Sequence, residues 1–137
     1  ILSYLKAGGK IVVCGMNPAV YQVDTITRQV TGLDFSSAQR TLGIHYNYND
    51  TRAFNGYYPA TPTKEGVQWG LKTGYVSRLG QPDNAVDIVL MRDETGKATS
   101  WVKLYGGPEG SGFVQTWLLP VTLKNIEELK NVAEYGF

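Results

Sequence analysis

The 137-residue chain contains one cysteine, Cys14, and one histidine, His45. A lone thiol excludes an internal disulfide. A tetrahedral zinc site draws several ligands from His and Cys, and this pair cannot supply them. A Ser-His-Asp set would have to recruit His45, yet the sequence has no Gly-x-Ser-x-Gly turn. Charged residues make up only 18 % of the chain, below the usual quarter. A net charge of +1 argues against a protein that coats duplex DNA through phosphate contacts. No apolar run approaches the ~18–20 residues that span a bilayer, and the stretch from Ile1 to Ala7 is too short for a secretory leader. Alanine, lysine and glutamate are too sparse for a helix bundle.

Glycine and tyrosine are plentiful instead, at 16 and 9 residues, which favours strands and turns. The length suits a single domain, 1–137, that buries a core without staples. Cys14 closes the apolar run Lys10-Ile11-Val12-Val13-Cys14 and reads as a small buried hydrophobe. Charge is uneven. Residues 1–80 hold eight Lys/Arg against four Asp/Glu, and residues 81–137 hold five against eight. The lone thiol favours an intracellular or viral setting over a secreted one. Ile1 in place of Met and the triplet Asn49-Asp50-Thr51 pull toward processing and export.

Strand signals dominate the pattern. Ile1 to Ala7 predicts a short helix stopped by Gly8-Gly9. Lys10 to Cys14 and Val20 to Val30 predict strands. Leu42 to Tyr48 alternates, with Leu42, Ile44, Tyr46 and Tyr48 on one face and His45 and Asn47 on the other. Phe54 to Lys64, with Gly56, Pro59 and Pro62, predicts a loop, and Val67 to Val76 a strand. Asp87 to Tyr105 predicts a hairpin turning at Asp93-Glu94-Thr95-Gly96-Lys97. Gly106 to Gly112 predicts a loop or flexible lid, and Gly112 to Leu119 another strand. Thr122 to Gly136 is the one strongly amphipathic helix, with Leu123, Ile126, Leu129, Val132 and Ala133 on its apolar face. About six or seven mostly antiparallel strands with a terminal helix predict an all-β fold. A small OB-like barrel is favoured slightly over a sandwich.

Catalytic constellations are weak. Asp93 and Glu94 lie in a hairpin turn, where acids serve turn chemistry. Asp83, Asp93, Glu94 and Lys97 lack the acid-x-Lys spacing of a nuclease. Gly8-Gly9-Lys10 lacks the remaining residues of a phosphate loop. The sequence therefore predicts no catalytic residue, no metal and no cofactor.

Aromatic and basic residues are densest between Arg40 and Arg78. Neighbouring rings at Tyr57-Tyr58 point apart in an extended segment, which leaves at least one exposed. Trp101, Lys103 and Tyr105 share one strand face, opposite Val102 and Leu104, and predict an outward stacking row. Stacking contributes roughly 1–3 kcal/mol per base. The leading expectation is a non-catalytic binder of single-stranded nucleic acid. Trp69, Trp101, Tyr57, Tyr58 and Tyr105 would meet bases, and Arg40, Arg52, Lys72 and Lys103 would line the phosphates. His45 reads as a partly exposed structural or ligand-contacting side chain. Two alternatives use the same rings. One is a carbohydrate-binding module with Asn47, Asn49, Asp50 and Gln68 as hydrogen-bond partners. The other is a structural subunit of a virion or surface assembly, a homo-oligomer in which the rings form contacts between copies.

Overall fold

The computed structural model describes residues 1–15, 21–34, 36–45, 58–77, 85–117 and 123–137. Its first turn is helical, α1 (Leu2–Lys6), and buries Leu5. Gly8 follows with φ 88, the left-handed geometry that glycine adopts without strain. The β-branched run then forms β1 (Lys10–Cys14). Next come β2 (Tyr21–Val23) and β3 (Val30–Leu33), paired antiparallel as a separate two-stranded ribbon. Residues 20–30 thus do not make the single strand that their composition suggests. Asp24 accepts from the Ile26 and Thr27 amides and folds the chain back between β2 and β3.

Helix α2 (Ser37–Leu42) overturns part of the strand predicted from Leu42 to Tyr48. Ala38 and Leu42 are buried four residues apart, and Gly43 ends the helix with φ 66. This is helical spacing with a glycine stop, which local alternation disguised. Residues 46–57 lie outside the described set. Strand β4 (Tyr58–Pro62) replaces the predicted loop. Its two prolines sit where β4 is flanked only by the short β5 (Tyr75–Ser77) on one side and β6 (Ile88–Asp93) on the other. Helix α3 (Lys64–Gln68) replaces the first part of the strand predicted from Val67 to Val76. Thr63 caps it by accepting from the Gly66 amide at 3.0 Å, and its hydroxyl donates to the Val89 carbonyl at 2.6 Å. The cap therefore also ties α3 to the sheet.

The predicted hairpin forms as β6 and β7 (Ala98–Lys103). Asp93 accepts from the Thr95 and Lys97 amides and holds its turn. Strand β8 (Gly112–Thr116) pairs antiparallel with β7 and parallel with β1. The C-terminal helix is α4 (Leu123–Glu134). Strand order in the main sheet is β1-β8-β7-β6-β4-β5. Strands dominate, most pairings are antiparallel, and no pairing among the described residues joins β1 to β5.

Both faces of this sheet are covered. One apolar cluster contains Leu5 and Leu42 from the helices and Ala98, Trp101 and Phe113 from the strands, with Ile11 and Val13 against it. The other contains Trp69, Leu71, Leu90, Met91, Val102, Val114 and Val132, with Val12 against it. Sequence neighbours such as Trp101 and Val102 fall in different clusters because strand side chains alternate between faces. Helices α1 and α2 thus lie on one face, with α3 and α4 on the other. A sheet buried on both sides needs near-continuous apolar strands. Every residue of β8 and all but the last of β7 are buried accordingly.

Candidate binding cleft at the end of the C-terminal helix

A helix leaves its last carbonyls without partners, and its C-terminal end favours positive charge. Lys10, at the start of β1, supplies both donors and charge to α4. Its Nζ donates to the carbonyls of Val132 at 2.7 Å, Tyr135 at 2.9 Å and Ala133 at 3.2 Å. The ammonium also lies 4.6 Å from the Trp69 ring centre and 5.3 Å from that of Phe137. Burial pushes its pKa down to about 8. The carbonyls and ring faces favour the charged form, so the group stays protonated at neutral pH.

Around this anchor the aromatic rings of α3's end and α4's end meet. Trp69 and Tyr135 stack with centroids 4.4 Å apart and planes at 20°. Trp69 is 1 % exposed, and its buried indole N–H has no hydrogen-bond partner. Phe137 is 81 % exposed. A cleft of about 380 Å³ runs between them, lined by Gln68, Trp69, Gly70, Asn131, Glu134, Tyr135 and Phe137. Gly70 is required here because a side chain would strike Asn131, and its φ is 87. The loop from Gly106 to Gly112 braces the same corner and is no free lid. Any side chain at Gly110 would run into Gly136 and the Tyr135 carbonyl, and Glu109 accepts from the Tyr135 hydroxyl at 3.3 Å.

Cleft chemistry is that of polar neutral recognition. Two side-chain amides and a carboxylate surround ring surfaces. The nearby cation is already engaged with three carbonyls. A second depression, of about 500 Å³, is lined by Glu65, Asp87 and Glu109 with Arg92. Asp87 there accepts from the Leu104 amide at 2.7 Å and Arg92 donates to the Gly96 carbonyl at 2.8 Å. Three carboxylates against one guanidinium repel a polyanion.

The predicted site residues do not form one platform. Trp101 was expected to face outward, but it is 2 % exposed. Helices α1 and α2 cover the face that sequence pattern assigned to solvent, and Trp101 packs there against Phe113 at 6.1 Å. Trp69 belongs to the opposite cluster, so the two indoles cannot serve one ligand. Tyr105 is half-buried, and its hydroxyl donates to the Leu42 carbonyl at 2.7 Å, closing the end of α2. Burial pushes that phenol up to about 12. Half-buried Lys103 holds its ammonium 6.0 Å from the Tyr105 ring centre. His45 and Lys72 are exposed, and Tyr58 is half-buried on β4. Arg40 is engaged by Asp34 and Ser36, and Asp34 is held down to about 2 chiefly by that guanidinium. Arg52 and Tyr57 lie outside the described residues, as do Asn47, Asn49 and Asp50. Of the residues predicted to touch a ligand, Trp69 from the ring set and Gln68 from the carbohydrate alternative line the cleft.

Sequence reasoning missed Lys10, Asn131, Glu134, Tyr135 and Phe137. The available signal was the helix end itself, an aromatic pair around Gly136 after a predicted helix. It also missed Glu128, which is 3 % exposed. Its carboxylate accepts from the Lys72 amide at 2.9 Å, from the Thr73 hydroxyl at 2.7 Å, and from the Tyr75 hydroxyl. Burial would raise this carboxyl, but those donors hold it below the ordinary range. Cys14 is a half-buried free thiol, pushed up by desolvation. Among the described residues, no group of His, Cys, Asp and Glu side chains is arranged to hold a metal ion. Also among them, no helix is long and apolar enough to cross a membrane.

The profile of the MJECL34 family matches residues 1–133. The chain belongs to the MJECL34 family. No curated protein and no solved structure matches it. For this MJECL34 family member, the cleft between α3 and α4 is the recess where exposed and buried rings meet polar side chains.

Proposed function

We propose that this chain is a non-catalytic binding protein whose cleft at the end of α4 takes a neutral, polar, ring-shaped ligand, a saccharide. The observation that carries this reading is the lining itself. Phe137 offers an open ring, Gln68 and Asn131 offer amides, and Glu134 offers an acceptor. Its volume of about 380 Å³ falls within the range of small-molecule sites. Carboxylates in both recesses disfavour phosphate. The scaffold for this reading is a mixed sheet with helices on both faces, in which no pairing among the described residues closes a barrel.

A second reading keeps single-stranded nucleic acid as ligand, at the α2 side of the sheet. It is favoured by Lys103 lying over the Tyr105 ring, with exposed His45 just beyond α2. Stacking there is limited to part of one ring, because Trp101 lies beneath it in the core.

An array of neutral oligosaccharides, followed by titration with oligo-dT at low and high salt, separates the two. The saccharide reading expects array binding insensitive to salt and weakened roughly tenfold or more by Phe137→Ala, about the value of one well-packed aromatic contact. A blank array together with salt-sensitive oligo-dT binding that survives Phe137→Ala overturns it.

A further inference from the structure

We infer that the outer edge of β1 is an interaction surface that pairs antiparallel with β1 of a second copy of this chain. The Gly9 carbonyl accepts from the Gly112 amide at 2.9 Å, and the Gly15 amide donates to the Thr116 carbonyl at 2.7 Å. Both odd-numbered residues therefore turn their backbone groups toward β8. Successive residues of a strand alternate in direction, so Ile11 and Val13 turn the same way. Lys10, Val12 and Cys14 present their N–H and C=O groups to the opposite side. No strand among the described residues pairs there. The Tyr4 hydroxyl reaches the Lys10 carbonyl at 3.3 Å, a long bond that strand pairing would replace.

Natural sheets blunt exposed edges with short strands, prolines or charge. The far end of this sheet does so, with the three-residue β5 beside a β4 that contains Pro59 and Pro62. Strand β1 does not. Its one charged residue, Lys10, has its ammonium drawn away to the α4 carbonyls, so it cannot repel an incoming strand. The remaining residues, Ile11, Val12, Val13 and Cys14, are half-buried on both faces, as in an interior strand.

A second copy fits because the strand is self-complementary about Val12. A two-fold axis normal to the sheet sets Val12 opposite Val12, Ile11 opposite Val13, and Lys10 opposite Cys14. The outward backbone groups then meet as hydrogen-bonded pairs. Ile11 and Val13 extend the cluster under α1 and α2, and Val12 extends the cluster under α4. Such an isologous contact closes as a dimer rather than growing into a fibre.

Sedimentation velocity over a wide concentration range tests this directly. The wild-type chain should pass from monomer to dimer. Val12→Pro should weaken dimerisation at least ~10-fold, because it removes an outward N–H and blocks the edge, without loss of the far-UV circular dichroism. Val12→Cys on a Cys14→Ser background should give a disulfide-linked dimer on mild oxidation, which tests the register even if the proline variant fails to fold. A chain that stays monomeric throughout overturns the inference, as does a dimer that neither Val12 variant affects. Saccharide binding is read separately, by the array and the Phe137→Ala variant, so the failure of either proposal is distinguishable from the failure of the other.

Discussion

At the scale of single residues, two charged groups are held inside the molecule by opposite devices. Lys10 gives its protons to carbonyls that a helix end leaves over. Glu128 accepts hydrogen bonds from the Lys72 amide and the Thr73 and Tyr75 hydroxyls, on the chain that runs from α3 into β5. Both fasten α4 to the sheet. Glu128→Gln should destabilise the fold by about 2–3 kcal/mol, since an amide nitrogen faces donors it cannot accept from. The wild-type carboxyl lies below its ordinary value in the folded state. Its contribution is therefore present above the unfolded pKa and lost as pH falls through the folded one. Urea unfolding at about pH 6 and about pH 3.5 should show a larger difference between wild type and variant at the higher pH. An equal difference at both would show that the carboxylate charge is not what matters. Sequence alone could not reveal either group, because a lysine before an apolar run and a glutamate on a helix's polar side both read as solvated.

Among elements, legibility follows the range of the interactions that decide each one. The β6–β7 hairpin, β1 and α4 were all readable, because turn residues, β-branched runs and helical periodicity are local. Helices α2 and α3 were not. Leu42-Gly43-Ile44 and Val67-Gln68-Trp69 alternate like strands, yet Leu42 closes one helix and Val67 sits in another. Their caps were visible in principle: Gly43 follows α2, and Thr63 precedes α3. Helix α3 is placed by backbone contact with β6, since any side chain at Gly66 would overlap the Leu90 carbonyl oxygen. Gly66→Ala should therefore cost ~3 kcal/mol, beyond the usual gain that alanine brings to a helix. A thermal melt unchanged or raised by this substitution would contradict the packing described.

Across the whole molecule, the decisive feature was invisible in the sequence: helices cover both sheet faces. The β-rich character was legible from glycine, tyrosine and β-branched content. The layering was not, because it depends on where α1 and α2 come to rest. It moves Trp101 from a surface row into the core and divides the rings predicted to act together. Of the candidate site, Trp69 was found from sequence for its ring, and Gln68 as a polar partner in the carbohydrate alternative. The partners from α4 were missed because a helix end offers no motif. What the chain presents to solvent is a cleft where α3 and α4 end, and that recess is the centre of the functional reading. Its most direct test is the indole region of a ¹H–¹⁵N spectrum during saccharide titration, where the chain's 3 tryptophans give separate signals. The account predicts that the Trp69 indole signal moves and saturates as ligand settles against Tyr135, the ring stacked on it, while that of Trp101 stays fixed. A Trp69 signal unmoved by saccharides that nonetheless bind, or equal movement of Trp101, would contradict it.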